Sequence, residues 1–235
     1  MNVNLRNGLY TAAAVVSLIA GAKAVAEDAF VGLVLIAFGI LATSFASYFW
    51  WRSRSDPYRL RALEHHVKID LLDSDGKRAL QTRTTRFRSL TNGVRDFTDH
   101  LSADGAYENI EVEPGTIENV RREGGDLFIT SNFERVLRKD EEVYRTIRAT
   151  LVDSFVEQSE YWSVRIIVPT DEFTLTIIFP ADRPCRSFHG YRRITSHEVL
   201  AGVQPERKMV EQRPAVEWRV EKPSLKDVYK LVWHW

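Results

Sequence analysis

The densest set of groups able to hold a ligand lies late in the chain. Arg183-Pro184-Cys185-Arg186-Ser187-Phe188-His189-Gly190-Tyr191-Arg192-Arg193 places four arginines among aromatic rings and one flexible glycine. Guanidinium groups grip phosphate or carboxylate through paired N–H donors, and aromatic faces stack on planar rings. Arg183, Arg186, Phe188, Tyr191, Arg192 and Arg193 therefore form the candidate ligand-binding set, with the composition of a nucleotide-phosphate site. The same stretch also fits a loop and an edge strand whose arginines pair with surface carboxylates, since the chain holds 32 basic and 32 acidic groups. A second cluster, Arg83, Arg86 and Arg88 around Phe87, admits the same two readings.

Other chemistry is thinly represented. Cys185 is the single cysteine, which excludes an intrachain disulfide or a zinc site with several sulfur ligands and fits a reducing compartment. Flanking arginines could lower its pKa, but no thiol-enzyme signature surrounds it. Asp73-Ser74-Asp75-Gly76-Lys77 alternates carboxylates like the start of a calcium loop, yet the twelfth position is Thr84 rather than Glu. Gly124-Gly125 lacks the Lys-Ser/Thr of a phosphate loop and reads as a turn. His65 and His66 are adjacent, so on a strand they face opposite ways and cannot share a metal. No nucleophile elbow, HExxH pair or kinase set occurs. The expectation is a protein that is not an enzyme, with no metal and no cofactor, and the balanced charge disfavours duplex nucleic acid as a partner.

These residues need a scaffold, and two compositional zones supply it. The first 50 residues carry only Arg6, Lys23, Glu27 and Asp28 as charged groups. Uncharged stretches at 7–22, reaching 26 if Lys23 snorkels, and at 29–51 approach the ~20 residues that span a bilayer. The sequence thus predicts a two-span transmembrane hairpin over 1–52, a juxtamembrane linker over 53–61 and a β-rich cytoplasmic domain over 62–235. Arg52, Arg54, Arg59 and Arg61 after the second stretch place the domain, and with it both termini, on the inner side of a bacterial cytoplasmic membrane. Arg6, the first apolar run and Ala24-Val25-Ala26 also match a secretory signal. Small residues four apart, Ala13, Ser17 and Gly21 and then Gly39, Thr43 and Ser47, would let helices approach closely, within one hairpin or between self-associating copies.

Beyond residue 57 the dominant signal is period-two alternation. It appears in Ile147, Ala149 and Leu151; in Val164, Ile166 and Val168; in Phe173, Leu175, Ile177 and Phe179; and in Val216, Trp218 and Val220. Tyr229, Leu231, Trp233 and Trp235 repeat it, so that the last two segments read as a hairpin with a packed C-terminus. About ten strands and one short helix near 91–101 are expected, in an antiparallel sandwich or barrel.

Two apolar N-terminal spans at 7–51 followed by strands from His65 to Trp235 resemble the two-transmembrane, β-rich membrane effectors of bacterial cyclic-oligonucleotide (CBASS-type) antiphage systems. The resemblance is one of layout, without a shared motif. It implies a cyclic-nucleotide receptor whose ligand drives assembly of the hairpins and damage to the inner membrane. The combined expectation is a membrane-anchored, self-associating effector responsive to a small anionic ligand. The alternative is a membrane-tethered interaction module presenting sheet edges or Trp218, Trp233 and Trp235.

Overall fold

From Leu60 onward, alternating apolar and polar side chains become strands, because successive residues of an extended backbone point to opposite faces. The computed structural model describes Ala37, Ile40 and Leu41, which are helical, and residues 58–235 apart from Thr195. Tyr58–Trp235 forms one compact unit. Its strands are β1 (Leu60–Leu71), β2 (Arg78–Ser89), β3 (Val94–Ser102), β4 (Ala106–Glu113), β5 (Ile117–Glu123), β6 (Asp126–Leu137) and β7 (Glu142–Val152). They continue with β8 (Ser159–Arg165), β9 (Glu172–Ile178), β10 (Ser187–Ile194), β11 (His197–Leu200), β12 (Glu206–Val210), β13 (Arg213–Glu221) and β14 (Val228–His234).

Three sheets result. A seven-stranded sheet runs β12-β13-β9-β1-β2-β7-β4, a four-stranded sheet β11-β10-β14-β8, and a three-stranded sheet β3-β6-β5. Neighbours are antiparallel except β1 and β9. Asp73 closes the β1–β2 turn by accepting from the backbone N–H groups of Lys77 and Arg78, and Gly76 takes the positive φ of 72° that the turn needs. A Cβ there would stand 1.7 Å from the Phe155 carbonyl oxygen.

The main apolar cluster joins Val67, Ile69 and Leu175 of the large sheet to Trp162, Leu231 and Trp233 of the four-stranded one, with Leu127 and Ile129 from β6. A smaller cluster holds Leu60, Ala62, Phe87, Val94, Phe133 and Leu137. Between them, the same inward faces turn polar. Along β2 the inward series runs Ala79, Gln81, Arg83, Thr85, Phe87; along β6 it runs Ile129, Ser131, Phe133; along β3 it runs Phe97, Asp99, Leu101. In β7, Arg145 precedes Ile147 and Ala149 on the buried side. A polar belt therefore crosses several strands and splits one core into two.

Several expectations need correction. The architecture of an N-terminal α-helical transmembrane hairpin plus β domain is not what the structure shows: among the described residues no helix is long and apolar enough to cross a membrane, and the elements within 58–235 are strands. The multi-pass placement in the bacterial inner membrane, with both termini cytoplasmic, falls with it. Hydropathy and run length report that a segment avoids water, and they do not name the surroundings that replace it. The packing faces Ala13, Ser17, Gly21, Gly39, Thr43 and Ser47 lie outside the described residues.

The helix expected near 91–101 is strand β3, paired with β6. Val94, Phe97 and Leu101 have helical spacing because the pairing register shifts between Val94 and Asp96, which interrupts strict alternation. The last two strands are not a hairpin: β13 pairs β9 and β12, whereas β14 pairs β10 and β8. The Pro223-Ser224 break carries the chain from one sheet to another. Trp218, Trp233 and Trp235 are 0%, 0% and 8% exposed, so they are core and present no recognition surface.

Candidate anion-binding cavity

The polar belt opens into a cavity of about 250 Å³ where the three sheets meet. Strands β1 and β2 contribute His65, Arg83 and Thr85, strand β3 contributes Asp99 and His100, and the four-stranded sheet contributes Arg165 and Arg193. The inner end is buried: Arg83 and Asp99 are each 7% exposed. Arg165 and Arg193 stand at the solvent side, both exposed.

Register explains the convergence. His65 lies opposite Thr85, and Thr85 lies opposite Arg145, so three inward positions form one row across β1, β2 and β7. Arg145, 2% exposed, is ion-paired to Asp99 and donates from Nε to Ser131 Oγ at 3.1 Å. Its guanidinium also lies over the Phe97 ring, 5.6 Å from the centroid. Arg83 donates from Nη1 to the His100 carbonyl at 2.9 Å. With the Gln81 amide turned to suit it, Gln81 oxygen accepts from Arg83 Nε and Nη2 at 2.5 and 3.2 Å. A guanidinium carries five N–H groups, and these contacts with neutral partners leave Arg83 two for an occupant of the cavity it lines.

The buried belt holds two cations, Arg83 and Arg145, against one anion, Asp99. His65 does not restore balance, since burial, and then the charge of Arg83, pull its pKa down to about 3 and keep it neutral. Its Nδ1 meets Thr85 Oγ1 at 2.8 Å. Burial pushes the Asp99 carboxyl up, against the opposing pull of Arg145 and Arg83. Burial also lowers Arg83, partly offset by Tyr107 and Asp99. At the rim, His100 Nε2 approaches Asp126 Oδ1 at 2.9 Å and holds that carboxyl below its usual range.

The six arginine and aromatic positions singled out in 183–193 are not brought to one place. Arg183 donates to the Ser74 carbonyl at 2.8 Å and covers the Trp235 ring at 3.8 Å. Arg186 is exposed, and Phe188 packs against the core beneath the Arg207 guanidinium. Tyr191 lies beside His189, and Arg192 is bound to Asp227 at 2.5 Å and to Ser224 Oγ at 2.6 Å. Of the six, Arg193 alone lines the cavity, because consecutive residues of β10 face opposite ways. Arg86 and Arg88 pair with Glu64 and Glu142 on the outer side of β2, whereas Arg83 points inward. His65, Asp99, Arg145 and Arg165 were missed as site residues by sequence reasoning. The available signal was an arginine, Arg145, in the same parity as Ile147, Ala149 and Leu151.

Among the described residues, no group of three or more His, Cys, Asp or Glu side chains could hold a metal ion. Cys185 is buried, and burial raises its thiol pKa. No family model and no curated protein matches the chain. Among solved structures, the M1 zinc metallopeptidase of Deinococcus radiodurans is weakly similar. Its mutant form gives a TM-score of 0.45 at 8% identity, over 75% of this chain and 42% of that one. A second structure of that enzyme gives 0.44 at 8%, over 74% and 42%. The chain thus spans less than half the length of those structures, and a likeness this weak carries no reaction, substrate or residue role to it.

Proposed function

We propose that residues 58–235 form a non-enzymatic receptor domain for a small anionic ligand, which seats in the cavity between Arg83 and the rim arginines Arg165 and Arg193. The observation that carries this reading is the charge imbalance of the belt, two buried guanidiniums to one buried carboxylate. A buried charge without a counter-charge is costly, so an anion entering the cavity gains the attraction of a group that is already desolvated. Contact with residues from three sheets also gives such a ligand a preference for the arrangement in which all three are packed together, which is the differential affinity that any response requires.

Size narrows the class. The cavity of about 250 Å³ falls just below the ~300–1,000 Å³ of ordinary ligand pockets. A cyclic nucleotide, the ligand implied by the resemblance to antiphage effectors, would have to seat one phosphate here and leave most of its bulk outside.

The test is thermal melting of the full-length chain against a panel of small phosphates, nucleotides, sulfates and carboxylates, with Arg83→Met in parallel. A ligand at a hundredfold excess over Kd stabilises the fold by about 2.7 kcal/mol. The expected result is a dose-dependent rise for at least one anion that Arg83→Met lacks, while the unliganded variant melts no lower than the parent because an unbalanced buried charge has been removed. A panel in which no anion raises the midpoint rejects the receptor reading.

A further inference from the structure

The walls of the cavity are as informative as its charge. Part of the lining is apolar: Phe87 and Phe97, with ring centroids 4.8 Å apart, and Val164, Ile166 and Val228 from the four-stranded sheet and the segment after β8. Phe87, Val164, Ile166 and Val228 are 2%, 3%, 2% and 7% exposed, so this is a wall of the core and not a surface patch. The cavity therefore combines charged side chains, Arg83, Asp99, Arg165 and Arg193 among them, with an apolar part of its lining.

Resting on the anion-receptor reading, we infer that the ligand is a small amphiphilic monocarboxylate, with its carboxylate on Arg83 and a compact apolar body against Phe87, Phe97, Val164 and Ile166. The charge of the inner belt favours one negative charge over two. Arg83 and Arg145 against Asp99 leave a single buried positive charge to be balanced, while the rim arginines Arg165 and Arg193 are exposed to solvent. Donor geometry agrees, because the two N–H groups left on Arg83 match the two oxygens of a planar carboxylate. An apolar body gains from the apolar part of the lining, about fourfold in affinity for each buried methylene.

The experiment is calorimetry on the full-length chain with acetate, butyrate and hexanoate, hexanamide as the uncharged isostere, and inorganic phosphate and adenosine monophosphate as polar anions. The expected result is a Kd that falls about fourfold per methylene from acetate to hexanoate, with hexanamide weaker than hexanoate by a hundredfold or more. Phe97→Ala should flatten the carboxylate series. Should that variant not fold, the ligand series on the parent protein still decides the matter. Binding of phosphate or the nucleotide in an Arg83-dependent manner, with a flat carboxylate series, overturns this inference and leaves the anion receptor standing. Hexanamide binding as tightly as hexanoate overturns both, as does the absence of binding by every compound.

Discussion

Two arginine-rich regions of this domain use the same side chain in opposite ways. In 183–193 two of the four guanidiniums clamp the structure: Arg183 holds the Ser74 carbonyl and lies on Trp235, and Arg192 is tied to Asp227 and Ser224. In the belt, Arg83 and Arg145 are more deeply buried and share one carboxylate, with Arg83 held by a neutral amide and a backbone carbonyl. Density of arginine is therefore not the same as availability for an anion. In the proposed reading, a shortage of counter-charge where water cannot supply the difference is what locates the site.

The largest test of that contrast removes the belt's only buried carboxylate. Asp99→Asn leaves Arg83 and Arg145 without an anion, and breaking one side of a buried pair typically costs about 3–5 kcal/mol. Urea unfolding of the full chain should show a loss of that size. The double variant Asp99→Leu/Arg145→Met should recover most of it, since replacing both members of a buried pair by apolar groups is often close to neutral. If the single and double variants were equally destabilised, Arg145 would not be the group that Asp99 compensates.

Acid should separate the two regions next. His65 is neutral in the fold with a pKa of about 3, against an unfolded value near 6.5. The unfolded state therefore binds more protons between these values, and stability is lost as pH falls from about 6.5 toward 3. At pH 5 the loss from this residue is about 2 kcal/mol relative to neutral pH. Asp99 works with the opposite sign: its folded pKa is raised, so acidification through that pKa removes a penalty. Urea unfolding at pH 7.5 and pH 5 should show His65→Gln less acid-sensitive than the parent by about the 2 kcal/mol that His65 contributes. An unchanged pH dependence would mean that His65 is not held neutral beside Arg83.

How much of this was legible in the sequence depended on whether alternation was intact. The inward series Phe173, Leu175, Ile177 and Val216, Trp218 lie in β9 and β13, where pairing is regular. Over 91–101, where a helix is expected, the structure has strand β3, and the register shift between Val94 and Asp96 interrupts the alternation that would have marked it. The partners of β13 and β14 could not be inferred from adjacency, because the chain changes sheets at Pro223-Ser224 and both strands pair with distant segments. The site was obscured for a related reason. His65, Arg83, Asp99, Arg145 and Arg165 come from five strands, and only tertiary packing brings them together. Arg145, an arginine on an otherwise apolar face, was the one local sign that the core contained a charge.

The smallest effects belong within the clamp region and test whether it is merely structural. Arg192 is about one-third exposed, and its partner Asp227 is largely buried, with side-chain exposures of 35% and 12%. Losing a charged hydrogen bond of this kind costs at most about 1.5–3 kcal/mol, and exposure of the arginine brings Arg192→Ala toward about 1 kcal/mol. Arg186 is exposed and its side chain has no hydrogen-bond partner among the described residues, so Arg186→Ala should change stability by less than about 0.5 kcal/mol. Neither change should alter ligand affinity, because neither side chain lines the cavity. Arg193, which does line it, supplies the internal control: Arg193→Ala should weaken an anion severalfold at low salt and less at high salt, since an exposed rim charge acts through a screened field. Equal loss of affinity in the Arg186 and Arg193 variants would show that the anion sits on 183–193 and not in the belt.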